Sequence, residues 1–215
     1  MQKKTVRKKL GRPEGAGGGI ETRRKIIIAA VDCFAERGYA NSNNQDIAKA
    51  AGITSGALYH YFESKAALYR EALQLIVTTL VGTYRAACDQ NPDRTSIDQL
   101  CIGLREVMVL SRSWPGALRF AAASFSEIQR NSELDWLNEM DARLFYDFFY
   151  DLVERAKLRG ELAPGANVES VVKVLIVCNM GISSLAEQGE DIFLEAVTTF
   201  EQLIAGSLMK RPHLA

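Results

Sequence analysis

The sequence predicts an all-α protein in two parts: an N-terminal three-helix unit built around a helix-turn-helix, and a larger helical domain joined to it by one continuous helix. Three observations carry this expectation. From residue 20 to residue 209 apolar residues recur at helical spacing between Gly, Pro, Asn and Ser punctuation. No alternating strand pattern, internal repeat or low-complexity segment appears in the second half. The stretch Gln45 to Phe62, QDIAKAAGITSGALYHYF, fits two short helices, a glycine turn and a polar outer face into eighteen residues.

Composition bounds the functional class. At 215 residues, 47% hydrophobic and 24% charged, the chain has the make-up of an ordinary globular protein. No apolar run approaches the roughly 20 residues of a membrane span, and no apolar segment follows the basic N-terminus, so a cytoplasmic protein without membrane contact is expected. Cys33, Cys88, Cys101 and Cys178 are scattered through apolar helical contexts without a C-x-x-C pair, which favours buried free thiols over disulfides or a zinc site. The net charge is zero but unevenly placed. Residues 1–70 hold 13 Lys/Arg against 6 Asp/Glu, and the remainder 13 against 20. A basic end and an acidic end point to a polyanion partner at one end only.

Residues 1–19 carry Lys3, Lys4, Arg7, Lys8, Lys9 and Arg12 with no helical or strand period, and read as a disordered basic arm. Arg12, within Gly11-Arg12-Pro13, is placed to enter a DNA minor groove as other basic arms do; a merely solubilising tail is the alternative. Gly15 to Gly19 follow no strand and complete no phosphate-binding pattern, so they read as a hinge. A helix from Ile20 to Arg37 has Ile27, Ala30, Val31 and Phe34 on one face and Gly38 as its stop. Ser42 is expected to cap the next helix, about residues 43–50, whose N-terminal amides suit a phosphate. Ile47, Ala48 and Ala51 turn inward, Gly52 makes the turn, and Ile53 with Leu58 and Tyr61 completes the inner face of a helix at about 55–61. Thr54, Ser55, Gly56, Ala57, Tyr59 and His60 remain outside.

A long helix is expected from Lys65 to about Cys88, capped by Ser64. Asn91-Pro92-Asp93 ends it, and further helices follow near 96–111, 115–129, 133–159, 167–187 and 191–209. The expected domains are residues 1–19 as arm, 20–66 as helix-turn-helix unit and 67–215 as helical domain. The last two helices are apolar on more than one face, through Val171, Val172, Leu175, Ile176 and Met180 and through Phe193, Val197, Phe200 and Leu203. Such helices need cover on two sides, most simply from a second subunit in a four-helix interface.

The run Thr22 to Leu68 resembles the tetracycline-repressor (TetR) family of bacterial transcriptional regulators. The resemblance rests on Ala29-Ala30, Phe34, Gly38-Tyr39, Asp46-Ile47-Ala48, Ala51-Gly52, Gly56, Leu58-Tyr59, Tyr61-Phe62 and Ser64-Lys65. It departs from the family at Asn44, where Val, Met or Ile is usual, and at Ser55, often Lys or another long polar residue. The resemblance implies a groove-facing start to the second short helix at Thr54, Ser55, Gly56 and Ala57, with Tyr59 on a phosphate and His60 on a base edge or phosphate. Thr22 and Lys65 would lie near the DNA backbone. The chemistry is compatible: hydroxyls and phenols donate to phosphates, glycine permits close approach, and Ala57 suits a thymine methyl.

The same resemblance implies that aromatic residues of the second half enclose an effector cavity, with Met108, Trp114, Phe120 and Phe149 as lining for a small, largely apolar molecule. The expected function is a homodimeric regulator, most simply a repressor, that leaves a palindromic double-stranded operator when its effector binds. It calls for no enzyme activity, cofactor or metal. The alternative is a helical ligand-binding or protein-interaction module without sequence-specific DNA binding.

Overall fold

The computed structural model describes residues 16–134 and 141–208, and the described residues form helices and turns only. The elements are α1 (Ala16–Asn41), α2 (Asn44–Ala50), α3 (Ser55–Tyr61), α4 (Lys65–Gln90), α5 (Ser96–Ser113), α6 (Pro115–Arg130), α7 (Asp141–Leu158), α8 (Val168–Ser184) and α9 (Glu190–Ile204). Their order and all-α class are those the sequence predicts. Arg12 lies outside the described residues.

Helix ends follow side-chain chemistry. Thr54, Ser64, Thr95 and Asn167 each accept a hydrogen bond from the amide three residues on, capping α3, α4, α5 and α8. Pro115 opens α6, where its missing N–H costs nothing. Some ends differ from expectation. Helix α1 begins at Ala16, taking Gly17 to Gly19 into its first turn instead of leaving them as a hinge, and α9 stops at Ile204 instead of 209. The expected helix over 133–159 begins as a short 3-10 turn at Ser132 to Leu134, and α7 itself starts at Asp141.

Helix α4 is the spine. Its N-terminal half packs against α1 and α6, and its C-terminal half lies between α5 and α7, with α8 on α7 and α9 on α5. The core is continuous from Ile26 and Phe34 of α1 through Tyr69, Ile76 and Tyr84 of α4 to Phe149 and Phe193.

Helix α8, with the turn after it, corrects one expectation. Val168–Glu187 is 20 residues long and its most apolar stretch has a mean hydropathy of 1.6, which is long and apolar enough to cross a membrane. Only 28% of its most apolar stretch is buried within the chain. This is the two-sided apolarity that suggested a second subunit. The four cysteines are free; Cys88 and Cys101 are buried, whereas Cys33 and Cys178 are only half-buried.

Candidate nucleic-acid interface

Helices α2 and α3 are held by what faces inward. Ile47, Ala48, Leu58 and Phe62 are buried in the core they share with residues of α1 and α4. Gly52, at φ +72°, makes the turn, and the Ile53 amide donates to Ala48 O at 2.9 Å to close it. The outer face of α3 is open: Thr54, Gly56, Tyr59 and His60 are exposed, Tyr59 to 57%, while Ser55 and Ala57 are half-buried. A side chain at Gly56 would meet nothing within 4 Å, so a partner can approach the backbone there. Thr54 Oγ1 accepts from the Ala57 amide at 3.2 Å, which leaves its own O–H to donate outward.

Ser42 and Lys65 are turned to a different task. The cap of α2 is Asn43, whose side chain accepts from Asp46 N at 2.8 Å. Ser42 is only 3% exposed, its hydroxyl within reach of Cys33 O (3.2 Å) and Gly38 O (2.7 Å), so it neither caps α2 nor faces outward. Lys65 folds back from the start of α4. Its ammonium donates to Tyr39 O at 2.8 Å and Ser42 O at 3.1 Å and lies 4.2 Å from the centre of the Tyr39 ring. Two of its three N–H groups therefore brace the α1–α2 corner, and one is left for the solvent side. Thr22 is half-buried and donates its hydroxyl to Gly18 O at 2.7 Å.

Sequence reasoning passed over Asn43, although an Asn followed three residues later by an acid is a helix-start pattern that competes with Ser42. It also passed over Lys49. That lysine is exposed in the last turn of α2 and forms no ion pair among the described residues. The Asn44 Oδ1 is shielded and has no hydrogen-bond partner among the described residues, so the departure from the usual apolar residue at this position is uncompensated there.

Behind this surface, α6 clips α1 at both ends. Trp114 donates its indole N–H to Asp32 Oδ1 at 2.9 Å. Glu127 accepts from the Tyr39 amide at 3.2 Å, and the Tyr39 hydroxyl donates to Glu133 at 2.6 Å. Between the clips Phe34, Tyr39, Tyr69 and Phe120 form one ring cluster, with Tyr69 and Phe120 centroids 5.0 Å apart. Phe149 belongs to another cluster, with Tyr84, Phe145 and Phe148. The four aromatic and Met positions expected to line one cavity are thus divided. Trp114 and Phe120 serve the α1–α6 junction, Phe149 lies with α4 and α7, and Met108 is buried in α5. At the centre of the second cluster Asn179 Nδ2 donates to the Tyr84 hydroxyl at 2.8 Å, and both are buried.

Residues 26–72 match the family of bacterial regulatory proteins called tetR. Among curated relatives, the HTH-type transcriptional repressor KstR2 of Rhodococcus jostii (strain RHA1) is 29% identical over 163 residues, 75% of this chain and 78% of that protein. The HTH-type transcriptional regulator UidR of Escherichia coli (strain K12) is 25% identical over 175 residues, 81% and 86% of the two chains. Among solved structures, the fatty acid degradation regulator FadR from Bacillus halodurans superposes with a TM-score of 0.74 at 20% identity, over 93% of this chain and 100% of that one. FadR from Bacillus subtilis in complex with stearoyl-CoA gives 0.70 at 20% identity, over 85% and 98%. These two likenesses concern the fold.

Proposed function

The chain is a transcriptional regulator of the tetR family, and from that premise we propose that it is a homodimeric repressor which reads a palindromic operator and leaves it when a small molecule with an apolar body binds the C-terminal domain. The carrying observation is the outer face of α3. Exposed Thr54, Gly56, Tyr59 and His60 stand on a helix whose inner face is fixed by buried Leu58, at the basic end of the chain. This is the arrangement in which the N-terminal residues of a recognition helix meet base edges and its flanks meet phosphates. Ser55 and Ala57 belong to the same edge, and Arg12 of the basic arm is proposed to enter the adjoining minor groove. Thr22 and the remaining N–H of Lys65 are proposed to meet the backbone, with Lys49 beside them.

The dimer is proposed to form through α8 and α9. Val174, Val177, Leu203 and Ile204 are exposed on these helices, beside a groove lined by Cys178, Ile182, Ile192 and Phe200. For the effector, the stearoyl-CoA held by the Bacillus subtilis neighbour supports acyl compounds as the first class to try.

The test is selection of bound sequences from a random duplex pool, followed by titration of the winner. Inverted repeats with half-sites about one helical turn apart are expected. Ala57→Glu is expected to remove the preference for the winner over random DNA, and deletion of residues 1–12 to lower the salt slope by about 0.9 for each phosphate no longer neutralised. Failure of any sequence to enrich, or full operator binding by the Ala57→Glu protein, would overturn the assignment.

A further inference from the structure

The segment from Asn43 to Phe62 carries three side-chain amides, Asn43, Asn44 and Gln45, and no arginine. In the major groove adenine sets one donor, N6–H, beside one acceptor, N7, so an amide reads it only when its carbonyl oxygen and its NH2 group are both free. Two of the three are not. Asn43 has its oxygen on the Asp46 amide at 2.8 Å and its NH2 on Asp46 Oδ2 at 3.0 Å. The Asn44 Oδ1 is shielded from solvent. Gln45 is exposed, and neither end of its amide has a hydrogen-bond partner among the described residues.

The surroundings of Gln45 suit a polyanion. Asp46 is the only carboxylate between residues 43 and 62, and it is tied to Arg37 as well as to Asn43. Lys49, one turn along α2 from Gln45, is exposed and forms no ion pair among the described residues. The same edge of α2 therefore carries an unbalanced positive charge. On α3 the role is open: the hydroxyls of Thr54 and Ser55 suit more than one base, Gly56 has no side chain, and Ala57 offers a methyl. These side chains are short, and a Cβ at Gly56 would meet nothing within 4 Å, so α3 can seat deeply. Deep seating brings the adjoining α2 toward the groove, within reach of a side chain as long as glutamine. On a phosphate Gln45 would use only its NH2 and turn its carbonyl oxygen toward the anion, whereas on adenine both ends are satisfied.

We propose that Gln45 reads one adenine in each half-site, Oε1 accepting from N6–H and Nε2 donating to N7, while Lys49 holds a neighbouring phosphate. The proposal rests on the chain being an operator-binding regulator, and it names one base pair of that operator. Specificity is then shared between the first helix of the motif and the recognition helix that carries Ala57 and His60.

The test is selection from a random duplex pool, at one fixed salt concentration, with full-length wild type, Gln45→Ala and Gln45→Arg, followed by titration of the winners and their single-base variants. The wild type is expected to enrich an A·T pair at the same distance from the dyad in each half-site. Gln45→Ala should level the preference at that pair alone, a loss of about fivefold or more between adenine and the other bases, with binding to random DNA unchanged. Gln45→Arg should install guanine there, since a guanidinium matches G O6 and N7. A newly acquired base preference excludes general unfolding as the cause. The same base profile in all three proteins would overturn the proposal and leave the regulator standing. So would a Gln45→Ala protein that loses operator and random DNA equally, which would make Gln45 a backbone contact. If none of the three enriches any sequence, the operator-binding reading itself falls, and this assignment with it.

Discussion

Lys65 shows how a residue's type can be read from sequence while its direction cannot. A lysine at the start of a helix beside a helix-turn-helix suggests a phosphate partner, but the carbonyls of Tyr39 and Ser42 that turn it inward come from a corner 26 and 23 residues away. Lys65→Ala is therefore expected to cost about 1–3 kcal/mol of stability, from two charge-assisted hydrogen bonds and a cation–ring interaction, read as a lower urea midpoint at unchanged slope. An unchanged midpoint would mean that the ammonium is not held. Buried acids of high pKa set the alkaline limit. Burial pushes the Cys101 thiol from its ordinary 9.0 to about 12, and burial pushes the Tyr84 phenol upward as well. The folded state then holds protons that the unfolded chain has released, so stability is full below about pH 9 and falls as pH rises toward 12. Each such group adds a slope of up to about 1.4 kcal/mol per pH unit. Denaturation midpoints that stay level from pH 8.5 to 10.5 would contradict this.

At the scale of elements the sequence was most legible where a cap or a breaker sits at the boundary. Thr54, Ser64 and Pro115 begin helices where expected. It was least legible where two candidates compete, as Ser42 and Asn43 do, because either oxygen suits the role and only the burial of Ser42 decides. The two glycines of the N-terminal unit differ in a way their type conceals. Gly52 is left-handed with open space around it, so Gly52→Ala should cost about 1–2 kcal/mol. Gly38 has φ 73° and ψ 172°, a region almost confined to glycine, and a methyl there would sit 2.8 Å from Glu127 Oε1. Gly38→Ala should therefore cost clearly more, since it also presses on the carboxylate that holds Tyr39 N. Thermal unfolding of the two variants side by side checks the order, and equal destabilisation would remove Glu127 from the account.

For the whole molecule, the two-faced closing helices were visible as an apolar excess, but which residue faces which side was not. Phe200 is buried within its own subunit, whereas Val177 is 68% exposed. Val177→Glu is thus the cleaner probe of association: it should give a folded monomer by sedimentation, with helical signal retained and operator binding abolished. A Val177→Glu protein that remains a dimer would move the interface elsewhere. The expected cavity was the least legible feature, because aromatic density marks a core without saying how its rings group; Phe120 and Phe149 sit in different ring clusters of one continuous core. The double clip of α6 on α1 has a consequence for how the chain can be cut. Phe34 and Tyr39 share their rings with Tyr69 and Phe120, so residues 20–66 have no complete interior of their own. The DNA-facing unit is accordingly expected to fold together with α4 and α6 and not as a separable cassette, and a chimera joined at residue 66 is expected to keep its fold only if the recipient supplies rings where Tyr69 and Phe120 stand.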